Sequence, residues 1–256
     1  MIPDKRLAAL SLGRIYLWTL LTDDASAAER VCRFDEVLSE DEKKEACRFR
    51  RATARHQFVA ARVLLRLALS SHFAVPASAW RFERDCNRRP SIAAPALLAP
   101  VRFSVSHTEG LVACLITLSA EAAVDVEKLE HDEDLDLVAK EVLTPFEHKT
   151  LTALSGTDRT TRFYDHWTLK EAYAKARGLG LSLPLNSIGF DLMQDNTISA
   201  RFANTIDDDP ADWLFWCRHL YPQHTVSLAA KRVAGEEIKI VVRPVKFDEE
   251  EIALVA

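Results

Sequence analysis

Trp167-Thr168-Leu169-Lys170-Glu171-Ala172-Tyr173-Ala174-Lys175 decides how the chain is read. On a helix Trp167, Glu171 and Lys175 fall at i, i+4 and i+8 and form one stripe, with Lys170 beside it. A Glu–Lys pair on an exposed helix contributes only about 0.2–0.5 kcal/mol. An aromatic on the same stripe is unlike a solvated face and implies partial burial. The pattern predicts a helix over Thr161 to Arg177. Gly178-Leu179-Gly180 stops it, because glycine takes the left-handed conformation in which helices end.

Upstream, Gly13 to Leu21 reads as a strand buried on both faces. Ser39, with Glu42 three residues on, spells a capping box. Helical character continues from there through Phe58, Val59, Arg62, Val63, Leu65, Arg66 and Leu69, with a break near Thr53, and ends at Val75-Pro76. Pro90 to Pro100 reads as a proline-rich connection. It leads into an alternating strand, Val101 to His107, and then strands over Leu111 to Leu118 and Val124 to Glu127. Leu135 to Leu154 is helical with a break at Thr144-Pro145. After the Thr161 to Arg177 helix come strands at Ile188 to Leu192, Trp213 to Leu220, Thr225 to Lys231 and Ile238 to Val242. Strands and helices do not alternate one for one, so the fold class is α+β rather than a doubly wound parallel sheet. The two halves carry similar inventories, which is compatible with two related lobes.

Composition narrows the function classes. The chain has 256 residues, 48% apolar and 28% charged, with only 7 glycines, as an ordinary soluble globular protein does. No run of about 18 apolar residues occurs, so no membrane span is expected. Met1 to Leu10 carries Asp4, Lys5 and Arg6 and no apolar stretch long enough for a secretory leader, so the expected location is cytoplasmic. Cys32, Cys47, Cys86, Cys114 and Cys217 are scattered without a C-x-x-C pair, which suggests neither a zinc knuckle nor a disulfide framework. Any catalytic metal is then held by oxygens. The net charge of −5 speaks against a life on nucleic acid. Yet Arg48 to Arg66 holds six arginines and no acid. A locally basic face on an acidic chain suits a ligand bearing several phosphates or an acidic partner.

Two further stretches carry chemistry. In Val124-Asp125-Val126-Glu127 the strand period puts both carboxylates on one side and the valines on the other. Carboxylates this close repel unless a cation lies between them, and oxygen ligands suit Mg²⁺ or Mn²⁺. By itself an Asp-x-Glu strand is more often a solvated face. In Phe103-Ser104-Val105-Ser106-His107-Thr108 no G-x-S-x-G surrounds either serine, so the Ser-His pair is not a hydrolase nucleophile elbow. It reads as hydrogen-bond donors at a loop mouth, suited to phosphate oxygens.

Together the three stretches resemble the 4′-phosphopantetheinyl transferase superfamily, in its long, surfactin-type, pseudodimeric branch. Phe103 to Gly110, Ala123 to Glu127, and Trp167 to Lys175 continuing to Gly178-Leu179-Gly180-Leu181 stand in the order and spacing of its motifs. Leu143-Thr144-Pro145-Phe146-Glu147 resembles the helix segment between them, and Arg88-Arg89-Pro90 its basic turn. The resemblance covers roughly residues 40 to 190. Ala123 replaces a usual Gly, Ser104 stands where Asn is frequent, and Arg88 replaces a Gly. Gln57 follows His56 where some members carry an Arg.

The resemblance implies two similar α+β lobes, 1–121 and 122–256, related by pseudo-twofold symmetry with the active site at their interface. It implies transfer of the phosphopantetheine arm of coenzyme A to a serine of an apo acyl or peptidyl carrier protein, by a monomer. Asp125, Glu127 and Glu171 would hold Mg²⁺, with Mn²⁺ as the alternative. Glu171 and Lys175 would act at the reacting phosphate. Arg55, His56, Arg89, Ser106, His107, Lys170 and Lys175 would contact coenzyme A. Acids with a lysine also serve phosphodiester cleavage, and a non-catalytic module is the alternative outside enzymes, against which the intact acids, Lys170 and Lys175 argue. A metal-dependent nuclease or phosphodiesterase usually needs Glu-x-Lys on one strand, which is not the arrangement here. A non-catalytic binding module of the same fold would show no metal-dependent transfer.

Overall fold

Ser39 and Thr144 each open a short helix in the same way. The Glu42 amide donates to Ser39 Oγ at 3.2 Å while the Ser39 amide donates to Glu42 Oε2 at 2.9 Å. The Glu147 amide donates to Thr144 Oγ1 at 3.2 Å and the Thr144 amide to Glu147 Oε2 at 2.8 Å. Each box satisfies two of the N–H groups that a helix start leaves without partners. The helices are α1 (Glu40–Ala46) and α4 (Pro145–Thr152), the latter with proline at its first turn, where the missing N–H costs nothing.

The computed structural model describes residues 10–22, 35–84, 89–118, 121–130 and 134–245. Asp4, Lys5, Arg6, Cys32, Cys86 and Arg88 lie outside them. By its contacts the chain divides into two units, one reaching to Ala120 and taking in the segment from Gly235 on, the other spanning Glu121–Ala234.

The first unit runs β1 (Arg14–Leu21), α1, the long helix α2 (Ala52–His72), a hairpin of β2 (Arg81–Arg84) and β3 (Pro90–Ala94), and a hairpin of β4 (Arg102–Thr108) and β5 (Leu111–Thr117). The second runs β6 (Ala122–Lys128), α3 (Leu135–Val142), α4, the long helix α5 (Gly156–Arg177), a hairpin of β7 (Ile188–Leu192) and β8 (Ile198–Phe202), and a hairpin of β9 (Trp213–Tyr221) and β10 (His224–Lys231). In each unit the first strand pairs antiparallel with the last strand of the second hairpin, and that strand pairs with the one before it. Apart from α3 and a further strand that the first unit takes from the end of the chain, the two units share one order of elements. The fold class is α+β, as the sequence leads one to expect.

The core of the first unit lies between α2 and its sheet. Ala60, Val63, Leu64 and Ala68 meet Val112, Cys114 and Ile116 of β5, with Trp80 beneath the chain's exit from the helix. In the second, α5 packs on β6 and β10, burying Leu169, Ala172, Tyr173 and Ala176 against Ala123, Ala229 and Trp213. Among the described residues no helix is long and apolar enough to cross a membrane.

Three features depart from the sequence expectation. The region read as a proline-rich connection contains β3, paired with β2 as a short exposed hairpin. The long helix begins at Gly156, before Thr161. The division at 1–121 and 122–256 differs at its far end, because β11 (Lys239–Val245) pairs parallel with β1 in the first unit. The open edge of β1 needs partners for its backbone groups, and β11 supplies them. Gly13 permits the approach: its φ is +73°, the Lys239 amide donates to its carbonyl at 2.7 Å, and a Cβ there would meet the Glu237 carbonyl oxygen at 2.8 Å.

Candidate active site

Strand β6 and helix α5 bring Asp125, Glu171 and Lys175 together. The register pairs Asp125 with Ser227 and Glu127 with Thr225 of β10. Directly paired side chains share a face, and both partners face the helix. Ser227 Oγ lies 2.7 Å from Thr168 Oγ1, and Thr225 Oγ1 donates to Asp165 Oδ1 at 2.9 Å. Asp125 and Glu127 therefore belong to the α5 side of the sheet, and Val124 and Val126, both fully buried, to the other.

At this junction the Lys175 ammonium donates to Asp125 Oδ1 at 2.5 Å. Asp125 is only 3% exposed, so it is not the solvated strand-end acid that an Asp-x-Glu pattern suggests. Glu171 lies one helical turn before Lys175 and is half-buried. Burial raises its carboxyl above the usual range, Asp125 adds to the rise, and Lys175 opposes it. Two carboxyl groups beside one ammonium are a donor set suited to a hard divalent cation. Glu127 is two residues along from Asp125, on the same face of the strand. Among the described residues no three of His, Cys, Asp or Glu are grouped as the ligands of a metal ion.

Trp167 behaves as its place on the stripe predicts. It is half-buried and stacks on Phe163, with ring centroids 6.1 Å apart, in the cluster that joins α3, α4 and α5.

Lys170 does not belong to the site. It is wholly buried, and its ammonium donates to the carbonyls of Val142 at 2.9 Å, Leu185 at 3.1 Å and Ile188 at 2.6 Å and to Glu147 Oε2 at 2.7 Å. An ammonium has three N–H groups, and four oxygens already share them. The expectation that Lys170 contacts coenzyme A is thereby corrected. Glu147, which sequence reasoning passed over as a site residue, is its counter-ion. Its Oε1 accepts from the Phe190 amide at 2.8 Å and lies 3.2 Å from His166 Nδ1. Burial would raise this carboxyl, but His166 and Lys170 outweigh it and bring it to about 2. Burial also draws the Lys170 ammonium below its ordinary value against the pull of Glu147. Beside an ionised carboxylate and three carbonyls, the ammonium is the form the site is built for. The signal was present in sequence as Thr144-x-x-Glu147.

The remaining predicted residues lie in the first unit. Arg55, exposed, and His56, half-buried, occupy the first turn of α2, and Arg89 directly precedes β3. Ser106 and His107 are both within β4, which extends to Thr108, rather than at a loop mouth. Ser106 is buried and His107 exposed, as adjacent strand residues on opposite faces must be.

Two other polar clusters in the second unit were not foreseen. Asp208 Oδ2 accepts from the Tyr173 hydroxyl at 2.8 Å, Arg177 Nη1 at 2.5 Å and Trp213 Nε1 at 2.8 Å, which pins the last turn of α5 two residues beyond Lys175. Asp165 Oδ1 lies 2.7 Å from His219 Nε2 as well as accepting from Thr225.

A family model described as the 4′-phosphopantetheinyl transferase superfamily matches residues 122–230, and one described as 4′-phosphopantetheinyl transferase, N-terminal, matches residues 26–119. The chain is 28% identical to the 4′-phosphopantetheinyl transferase HetI of Nostoc sp. over 71% of its own length and 76% of that protein. It is 28% identical to the 4′-phosphopantetheinyl transferase Sfp of Bacillus subtilis over 72% and 79%. It is 30% identical to another 4′-phosphopantetheinyl transferase of Bacillus subtilis over 62% and 68%.

Proposed function

The chain belongs to the 4′-phosphopantetheinyl transferase superfamily, and we propose that it moves the 4′-phosphopantetheine arm of coenzyme A onto a serine of an apo acyl or peptidyl carrier protein, releasing adenosine 3′,5′-bisphosphate. It works in the cytoplasm as a monomer. The observation that carries this reading is the meeting of Asp125, Glu171 and Lys175 where β6 passes under α5.

Asp125, Glu127 and Glu171 would hold Mg²⁺, with Mn²⁺ as a substitute, which supplies a Lewis acid for the pyrophosphate oxygens. Glu127 presents its carboxylate on the same strand face as Asp125. Lys175 places a positive charge beside the acids, where it favours the charge that develops as the serine oxygen attacks the β-phosphate and the P–O bond to the nucleotide breaks. Glu171 and Lys175 are the residues we assign to the reacting phosphate. Arg55, His56, Arg89, Ser106 and His107 are assigned to coenzyme A, the arginines being suited to a bidentate grip on phosphate.

The test is direct. The protein is incubated with coenzyme A, Mg²⁺ and an apo carrier, and the carrier is weighed. A gain of one phosphopantetheine, abolished by a chelator, is the expected result. An unchanged carrier mass with several apo carriers of both kinds would overturn the reading.

A further inference from the structure

We propose that Glu147 and Lys170 are positioning residues, a buried latch that sets the face of α5 carrying Glu171 and Lys175 against Asp125. The inference rests on the reading of those three residues given above. Lys170 immediately precedes Glu171, so fixing the end of its side chain fixes the rotation of α5 about its axis at that turn. The four oxygens around its ammonium come from three separate segments. Val142 ends α3, Glu147 opens α4, and Leu185 and Ile188 bracket the turn that enters β7. Glu147 in turn holds the Thr144 and Phe190 amides. A helix tied at one point to three neighbours can neither roll nor slide without breaking several buried hydrogen bonds.

A buried ion pair is weak evidence for stability as such. The cost of removing two charges from water offsets much of their attraction, and apolar replacements of like volume often do as well. Directional bonds are what the pair adds over an apolar plug.

The first unit contains the same device without an acid beside it. Glu42 opens α1, and its Oε2 accepts from Arg66 Nη2 of α2 at 2.6 Å, 24 residues on, as Glu147 accepts from Lys170 after 23. Arg66 Nη1 donates to the carbonyls of Ala77 at 2.8 Å and Trp80 at 2.9 Å, which bracket the turn entering β2. The residue after Arg66 is Leu67, a partly buried apolar side chain packed against the core. The latch is thus part of the repeated construction, and in the second unit the next residue along is the acid. This duplication provides an internal control for a merely structural role.

The experiment compares Lys170→Met and Arg66→Met in the full chain by thermal unfolding, by Mn²⁺ binding followed by electron paramagnetic resonance, and by transfer kinetics. Both variants should lose stability. Only Lys170→Met should weaken Mn²⁺ binding, by roughly 10–100-fold as for other residues that orient metal ligands, and lower kcat. Lys170→Arg, which installs the other unit's cation, should recover most of both. If Lys170→Met does not fold, Glu147→Gln at constant shape takes its place. Wild-type Mn²⁺ affinity and kcat in Lys170→Met or Glu147→Gln, with stability lost as in Arg66→Met, would overturn the proposal. So would equal loss of Mn²⁺ binding in both methionine variants. A wild-type protein that binds no Mn²⁺ and transfers nothing would instead overturn the functional reading.

Discussion

Lys175 and Asp125 are joined at 2.5 Å across the seam between α5 and β6, the lysine side chain about one-third exposed and the carboxylate buried. In the proposed function, the ammonium and a bound cation would therefore be rivals for one carboxylate as well as partners around one phosphate. Lys175→Met should leave Mg²⁺ affinity equal or tighter while kcat falls roughly a hundredfold or more, the scale for removing one transition-state stabiliser. Arg89→Ala, which removes a proposed phosphate contact away from the reacting centre, should instead raise the KM for coenzyme A with kcat largely kept. Steady-state kinetics against coenzyme A and Mg²⁺ separate the two, and the reverse pattern would mean that the roles are exchanged.

Asp125→Asn should abolish transfer at any Mg²⁺ concentration while the fold survives. The amide fills the same space in a site that is 3% exposed, whereas alanine would leave a cavity there. The partially exposed Lys175 is then hydrated instead of stranded. Removing the neighbouring charge also takes away one cause of the raised Glu171 carboxyl. Carrier modification measured by mass, with circular dichroism as the check on folding, tests this. Turnover within a few-fold of wild type would show that Asp125 is not a metal ligand.

Stability towards acid should depend on Glu147. Its carboxyl stands at about 2 in the folded protein against an ordinary 4.5. A depressed acid stabilises the folded state fully above the unfolded value, and the contribution fades as pH falls from there towards the folded value. The shift corresponds to something on the order of 3 kcal/mol, lost between about pH 4.5 and 2. Urea unfolding at stepped pH should show this slope in the wild type and a shallower one in Glu147→Gln. Identical slopes would mean that the carboxylate is not held ionised by Lys170 and His166.

The candidate site was legible in sequence where its pattern is local. The V-D-V-E alternation placed two acids on one strand face, and the Trp167–Glu171–Lys175 spacing placed an acid and a lysine on one helix stripe. Lys170 was not legible. A lysine's flexible stem can take its charge to solvent or to any nest of acceptors, and the carbonyls of Val142, Leu185 and Ile188 and the Glu147 carboxylate converge only once three segments are packed around it. β11 shows the same limit at the level of the fold. Its apolar run marks a strand, but nothing local says that it pairs with β1 more than two hundred residues earlier. β2 and β3 escaped for the opposite reason, since most of their side chains are at least partly exposed and show no apolar period.

The pair of His219 and Asp165 offers a test of the second unit's geometry that does not depend on catalysis. Asp165 Oδ1 lies 2.7 Å from His219 Nε2, and this hydrogen bond raises the imidazole above its ordinary value of 6.5 against the opposing effect of burial. A histidine whose folded value exceeds its unfolded one stabilises the fold fully below the unfolded value. That contribution is lost as pH rises through the folded value. The side chain is 44% exposed, so the energetic effect is small and the titration itself is the better measurement. The imidazole ring protons of His219, followed by nuclear magnetic resonance, should move with a midpoint above 6.5, and Asp165→Asn should bring that midpoint down. The same substitution keeps an oxygen for the Thr225 hydroxyl, so the strand β10 and the paired acid Glu127 should keep their place. Transfer should therefore persist in Asp165→Asn while the His219 midpoint moves. A midpoint at or below 6.5 in the wild type would mean that β9 does not carry His219 to Asp165, and that the polar edge of the α5 face is drawn wrongly.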